Sequence, residues 1–209
     1  MPYLAEFITV AIVHFLAIMS PGPDFAMITR NSLVYSKSTG IYSSIGLAIG
    51  ILLHVSYSLI GIGFIISKSI VLFSIIKFLG AAYLIYIGYK SLKAKPNKIN
   101  SEKLKESIDL KRNEAIKMGF LTNALNPKVT LFFLSLFTQI INPETPFIIQ
   151  ALCGIEMSFM TFVWFSFVAT VLSYKTIKSK FSLFQHHFEK IFGVILIALG
   201  IKVAMSSSK

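Results

Sequence analysis

The sequence predicts an all-α membrane protein that crosses the bilayer several times. Of its 209 residues, 55% are hydrophobic and only 14% are charged, whereas about a quarter of the residues in a soluble domain are charged. The mean hydropathy is +0.73. Apolar runs of about 20 residues recur along the chain, and each must be helical in lipid because a helix satisfies its backbone hydrogen bonds within one segment.

Six such runs are candidate membrane-spanning helices, and they divide the chain into two halves. The spans are expected at about residues 4–33, 42–66, 71–91, 115–141, 147–173 and 188–206. They form a single transmembrane domain over residues 1–209, with repeat 1 at about 1–92, a cytoplasmic loop at about 93–114 and repeat 2 at about 115–209. The N-terminal MPYLAE lacks a basic region, so no cleaved signal peptide is expected.

The distribution of basic residues predicts the orientation of these spans. When the N-terminus is placed outside, most of the 20 Lys and Arg residues fall in cytoplasmic segments, above all in the loop at about 93–114. Because cytoplasmic loops are enriched in Lys and Arg, both termini are expected outside the cytoplasm. The same bias accounts for the net charge of +11 without a nucleic-acid partner.

Two of the six spans contain proline in the middle of an apolar run. The first carries Ser20-Pro21-Gly22-Pro23-Asp24, and the fourth carries Asn126-Pro127-Lys128. Proline removes a helical hydrogen bond and clashes with the preceding turn, whereas Ser and Asn are favourable N-caps and Pro is a favourable first helical residue. Each span is therefore predicted to be a broken helix, restarting at Pro21 under a Ser20 cap and at Pro127 under an Asn126 cap.

The two halves resemble each other, which predicts an internal repeat. Ser20-Pro21 aligns with Asn126-Pro127, and GAAYLIYIGYK at the end of the third span resembles GVILIALGIK at the end of the sixth. Each half has three spans, an odd number, so the second half must enter the bilayer from the opposite face. Six helices in two inverted three-helix repeats, with the first and fourth broken at Pro, are an architecture shared by many secondary transporters.

Two charged residues lie beside the predicted breaks. A restarted helix carries about half a positive charge at its N-terminus and attracts anions such as a carboxylate. Asp24 and Lys128 fall in the first turn of each restart, and a charge inside a membrane needs a partner or a wet cavity. Either the two form a structural salt bridge that locks the halves together, or Asp24 binds a substrate ammonium while the helix ends and Lys128 bind its carboxylate.

Further polar residues in the spans have weaker patterns. Gly46, Gly50 and His54 recur every fourth residue in the second span; the glycines predict close helix packing, and His54 is either a proton carrier or a packing histidine. Glu156 in the fifth span could take part in proton transfer or charge pairing, or lie near the outer boundary. The single cysteine, Cys153, excludes an intrachain disulfide and is expected to be buried. The sequence has no motif typical of a metal site, a bound cofactor or a catalytic nucleophile.

Several longer stretches make the chain similar to a known family over nearly its full length. They are SPGPDFAMITRNSL with the following Gly46–His54 stretch, FLGAAYLIYIGYKSLK, GFLTNALNPKVTLFF, VWFSFVATVLS and FGVILIALGIKVAMS. On these residues the chain resembles the LysE/RhtB family of amino-acid exporters. The resemblance implies a multi-pass protein of the bacterial cytoplasmic membrane with six helices in two inverted halves. It also implies functional positions at Pro21, Gly22, Pro23, Asp24, Asn126 and Pro127.

The resemblance further implies secondary transport, driven by the proton gradient or the membrane potential, of amino acids or derivatives such as homoserine, homoserine lactone, threonine, leucine or lysine. The expected partners are the substrate, protons and lipid, with no enzyme activity and no cofactor. A homodimer stays open, because the GxxxG-type faces could serve within one chain or between two. Three alternatives also stay open: a divalent-metal exporter on the same fold, an intramembrane enzyme, and a non-transporting assembly protein.

Overall fold

A computed structural model describes residues 3–68, 70–93, 109–139, 144–173, 190–191, 193–198, 200–201 and 204–205. The described residues contain no strand, and seven helices have defined bounds. These are α1 (Leu4–Met19), α2 (Pro23–Val34), α3 (Lys37–Lys68), α4 (Ile70–Lys93), α5 (Arg112–Ala124), α6 (Pro127–Gln139) and α7 (Phe147–Leu172). The described residues between 190 and 205 are also helical and are called the C-terminal segment below.

The prediction of an all-helical membrane protein is confirmed. Among the described helices, α3 over Lys37–Gly61 and α7 over Phe147–Leu172 are each long and apolar enough to cross a membrane. The pair α1 and α2, bent by 56° at the break between them, makes a third candidate span. The apolar part of α6, Pro127–Thr138, is shorter. The count of six spans and their inverted symmetry stay a prediction, and the predicted loop at 93–114 lies mostly outside the described residues.

The relative directions of the helices follow from contacts along their lengths. Near the starts of both helices, the hydroxyl of Thr145, which precedes α7, donates a hydrogen bond to the carboxylate of Glu6 in α1, with 2.8 Å between the oxygens. Further along both, His14 of α1 contacts Thr161 of α7 at 3.0 Å. The two helices therefore run parallel. The contacts of α3 with α7 run in the opposite order, since Gly40 lies against Ala169 and Val55 against Gly154.

Small residues bring the helices of the two halves together. Helix α3 packs most extensively against α5, and the crossing is so close that a Cβ at Gly119 would lie 3.1 Å from the Cα of Gly46. A second crossing joins α4 to the C-terminal segment, where Gly88 and Gly193 each lie against the carbonyl of the other. Gly46 was predicted to allow close packing and does so, because backbones can approach this closely only without side chains.

The buried apolar side chains form two clusters. One joins the N-terminal part of α1 to α6 and the first half of α7, through residues such as Val13, Phe133 and Met157. The other joins α2 to the second half of α7, through residues such as Ile28 and Phe165. The break between α1 and α2 lies where the two clusters meet, so the packing of both holds its polar groups in place.

Candidate functional site

The first break has a different register from the one predicted. Helix α1 ends at Met19, Ser20 is its C-cap with an extended backbone, and α2 begins at Pro23 with Gly22 as its N-cap. The prediction that Ser20 caps a helix starting at Pro21 was therefore wrong. The reason is the second proline: the residue before a proline is driven out of the helical region. Gly22 precedes Pro23 and is extended, so α2 begins at Pro23, two residues later than predicted.

The second break matches its prediction. Asn126 precedes α6, and its side-chain Oδ1 accepts a hydrogen bond from the backbone N–H of Lys128 at 3.0 Å. Its backbone carbonyl accepts from the N–H groups of Val129 and Thr130. Pro127, which has no N–H to leave unpaired, is the first residue of the helix. Asn126 is thus the N-cap and Pro127 the first helical residue, as expected from their sequence.

The corrected register makes Asp24 and Lys128 equivalent positions. Asp24 is the second residue of α2 and Lys128 the second residue of α6. Gly22 and Pro23 accordingly correspond to Asn126 and Pro127, rather than Ser20 and Pro21 as the sequence alignment suggested. Two opposite charges therefore occupy the same place in two restarted helices, one in each half of the chain.

Each charged side chain binds the break of the other half. Asp24 accepts hydrogen bonds from the side-chain amides of Asn123, at 2.7 Å, and Asn126, at 3.2 Å. The ammonium of Lys128 donates to Ser20 Oγ at 3.0 Å and to the carbonyl of Pro21 at 3.4 Å. The two breaks are thus linked by polar contacts in both directions.

Helix dipoles explain why these two positions differ in charge. Asp24 lies in the first turn of α2, where a negative charge is favourable. A lysine in the first turn of α6 is unfavourable for α6 itself. Its ammonium instead extends to the C-terminal end of α1, where Ser20 and the Pro21 carbonyl accept its hydrogen bonds. A negative helix end attracts a cation, so α1 compensates Lys128.

A cavity of about 50 Å³ opens between the two breaks. On this scale a single water needs about 10–15 Å³, so the space has the size of a few waters. Its polar side is formed by Ser20, Gly22, Asp24, Asn126 and Lys128. The rest of the wall is mostly apolar or aromatic and includes Ile51, Leu84, Phe132, Phe133 and Phe165, together with His14, Tyr83 and Thr161. The cavity is therefore charged on one side and apolar on the other.

His54 lies behind this cavity rather than among the residues that line it. Its Nε2 is 3.0 Å from the carbonyl oxygen of Asn123, and its Nδ1 contacts the hydroxyl of Tyr57. A carbonyl can only accept, so Nε2 carries the proton and Nδ1 accepts from Tyr57. The ring also stacks on Phe133, with centroids 5.6 Å apart. His54 therefore positions Asn123, which in turn binds Asp24.

Glu156 does not reach the cavity. Its side chain is half-buried on α7, and it is not among the cavity-lining residues. Its Oε2 has no hydrogen-bond partner in the part of the chain that the structure describes. The structure thus does not bring Glu156 together with Asp24 and Lys128. Cys153, one turn earlier, is a free and buried thiol, as expected.

Three residues at this site were not singled out from the sequence. Asn123 lies within the TNALNPK motif, but only the fold shows that its amide reaches Asp24. Gly50 makes room for it, because a Cβ at that position would lie 2.5 Å from Asn123 Oδ1. His14 and Thr161 line the cavity from α1 and α7. His14 could have been singled out because it is a lone histidine in an apolar run. No sequence pattern pointed to Thr161.

An all-helical, apolar chain with a charged cavity between two interrupted helices has the architecture of a membrane translocator. The chain belongs to the LysE type translocator family, which is matched over residues 15–207. The resemblance noted in the sequence is thereby confirmed, and the family is one of membrane translocators, not of enzymes.

Several curated proteins are similar to this chain over almost their whole length. The threonine efflux protein of Escherichia coli (strain K12) is 27% identical over 208 residues, covering 97% of this chain and 99% of that protein. That of Salmonella typhi is 26% identical over 204 residues, covering 97% and 99%. The uncharacterized membrane protein YrhP of Bacillus subtilis (strain 168) is 33% identical over 198 residues, covering 91% and 94%. No solved structure gives a significant match.

Proposed function

We propose that the chain exports a small amino acid or amino-acid derivative, of the threonine, homoserine, homoserine lactone, leucine or lysine type, across the bacterial cytoplasmic membrane. The observation that carries the proposal is the placement of Asp24 and Lys128 at equivalent positions of two broken helices, on one side of a shared cavity. Membership of the LysE type translocator family and the similarity to threonine efflux proteins support the same substrate class.

The two charges match the two charged ends of an amino acid. The substrate ammonium binds the carboxylate of Asp24. The substrate carboxylate binds Lys128 and the positive N-terminal end of α6, where Asn126 is the cap. In the absence of substrate, Asn123 and Asn126 hydrogen-bond Asp24 and Ser20 hydrogen-bonds Lys128. A zwitterion replaces these neutral partners with charged ones, which form hydrogen bonds about twice as strong.

Transport follows from a change in the relative position of the two halves. Each half contributes one broken helix to the cavity, so rocking one half against the other exposes the site first to the cytoplasm and then to the outside. The proton gradient or the membrane potential drives the cycle, and Asp24 either recognises the amine or carries the coupling proton. Both termini lie outside the cytoplasm, which the distribution of Lys and Arg favours. The parallel course of α1 and α7 and the antiparallel course of α3 and α7 fit alternating crossings in either orientation.

Export from reconstituted vesicles tests the proposal. The purified full chain is placed in lipid vesicles loaded with single radiolabelled amino acids, and their loss is followed with and without an imposed proton gradient or potential. We expect loss of one or a few amino acids, accelerated by the driving force and absent from vesicles without protein. Retention of every amino acid and derivative tested would contradict the proposal, and release of a loaded divalent cation instead would favour the metal-exporter alternative.

A further inference from the structure

His14 is a buried histidine that the proposed substrate contacts leave unused. It lies near the middle of α1, its side chain is 1% exposed, and it lines the same cavity as Asp24 and Lys128. The rings of Phe132 and Phe133 lie against it, with centroids 6.3 and 5.8 Å away. It is thus one of three polar side chains, with Tyr83 and Thr161, in the mostly apolar part of the wall.

The hydrogen bonds of His14 determine which of its ring nitrogens carries the proton. Its Nε2 lies 3.1 Å from the backbone carbonyl of Met157 and 3.0 Å from the hydroxyl oxygen of Thr161. A carbonyl oxygen only accepts hydrogen bonds, so Nε2 is the protonated nitrogen and donates to it. In the neutral imidazole, Nδ1 is then an acceptor.

Among the residues that the structure describes, that acceptor has no partner: Nδ1 of His14 is buried and makes no hydrogen bond with any of them. Buried polar atoms are nearly always hydrogen-bonded, and one without a partner needs a specific explanation. Because His14 lines the cavity, a hydrogen-bond donor on a bound molecule can supply the missing partner.

We infer that His14 is a specificity-determining residue, and that its Nδ1 accepts a hydrogen bond from the side-chain hydroxyl of a short hydroxylated amino acid. The inference rests on the proposed function. The charged end of the cavity, with Asp24 and Lys128, binds the ammonium and carboxylate of the substrate. The substrate side chain then points toward the apolar wall, where His14 Nδ1 is the acceptor without a partner.

The small volume of the cavity fits a short side chain. About 50 Å³ has room for only a few waters. A carboxylate and a hydroxyl joined through two or three carbons match that size better than a long basic side chain does.

The experiment compares threonine with valine, which has the same shape but a methyl group in place of the hydroxyl. Export of each is measured from vesicles containing the wild-type chain, His14→Leu or His14→Gln. Glutamine keeps both a donor for the Met157 carbonyl and an acceptor for the cavity, so it is the matched control. The readout is the ratio of kcat/KM for threonine to that for valine.

We expect the wild type to prefer threonine by about tenfold or more, because valine leaves the buried acceptor unpaired. His14→Leu should bring the ratio close to one while valine export persists, and His14→Gln should keep most of the preference. Equal export of both amino acids by the wild type, or an unchanged ratio in His14→Leu, would overturn the inference but leave the exporter function standing. If His14→Leu transports neither substrate, the ratio in His14→Gln decides: a preference that persists supports the inference, and its loss contradicts it.

Discussion

Asp24 and Lys128 are each the second residue of a helix that restarts at a proline, and each reaches across to the break of the other half. Asp24 binds the amides of Asn123 and Asn126, while Lys128 binds Ser20 and the Pro21 carbonyl. The same contacts connect the two halves and form the charged side of the cavity. Under the proposed function, a substrate that enters rearranges these contacts, which couples binding to the contact between the halves.

Replacing Asp24 with Asn should abolish export while the protein stays folded in the membrane. Asparagine has nearly the same shape but lacks the negative charge for a substrate ammonium, and its amide group would face the donor of Asn123 or Asn126. We expect at least a tenfold loss of transport, consistent with the cost of removing one partner from a buried charge pair. Transport is measured in vesicles, with Glu156→Gln as the control, because that carboxyl group also lies in a span but does not line the cavity. Wild-type export by Asp24→Asn would contradict the assignment.

Gly50→Ala should destabilise the site through Asn123. The new methyl group would lie 2.5 Å from Asn123 Oδ1, so the amide must move away from Asp24. We expect a loss of about 1–3 kcal/mol in the free energy of unfolding, typical of overpacking, and reduced export. Gly61→Ala in the same helix is the matched control, since none of the atoms that the structure describes lies within 4 Å of its added Cβ. Thermal unfolding in detergent measures both, and equal effects of the two substitutions would argue against a specific contact with Asn123.

Asp109 should make the stability of the chain depend on pH in acid. Hydrogen bonds from the hydroxyls of Thr39 and Ser36 lower the pKa of its carboxyl group below the usual range. A group whose pKa is lower in the folded protein stabilises it above the unfolded-state pKa, about 3.9 for Asp, and this contribution disappears as the pH falls through the folded-state pKa. Asp109→Asn should therefore unfold at a lower temperature than wild type at pH 7, with the difference shrinking below about pH 4.

A control variant separates this effect from general destabilisation. Thr39→Val removes one of the two hydroxyl donors while keeping the shape of the side chain, and it should lower the unfolding temperature at pH 7 by less than Asp109→Asn does. A difference between wild type and Asp109→Asn that stays constant from pH 7 to pH 3 would show that the carboxylate charge does not contribute.

The predicted orientation can be tested with single cysteines. Cys153, the single cysteine of the chain, is first replaced by Ala, so that only an introduced thiol can react. Asn113 and Pro146 are exposed near the starts of α5 and α7, and each is then replaced by Cys in a separate variant. A membrane-impermeant thiol reagent should label Pro146→Cys in intact cells and Asn113→Cys only after the cells are opened. The reverse pattern would place both termini in the cytoplasm.

Much of this site could be predicted from local sequence, because the forces involved act within one or two turns. Proline cannot continue a helix, and Asn before Pro is a strong start signal, so the second break was predicted to the residue. The first was misplaced because two prolines stand close together and either could begin a helix. Only the geometry of the chain showed that Pro23, which drives Gly22 out of the helical region, begins it.

The sequence by itself determined that the chain is a helical membrane protein, that it belongs to the LysE type translocator family, and that two helices break beside an aspartate and a lysine. Composition and the effect of proline on a helix depend only on neighbouring residues, so they can be read from the linear sequence. Only the tertiary structure decided that Asp24 binds Asn123 and Asn126, that His14 lines the same cavity, and that Glu156 does not. Those contacts join helices far apart in sequence, and side-chain directions across a helix crossing depend on packing, which no single segment specifies.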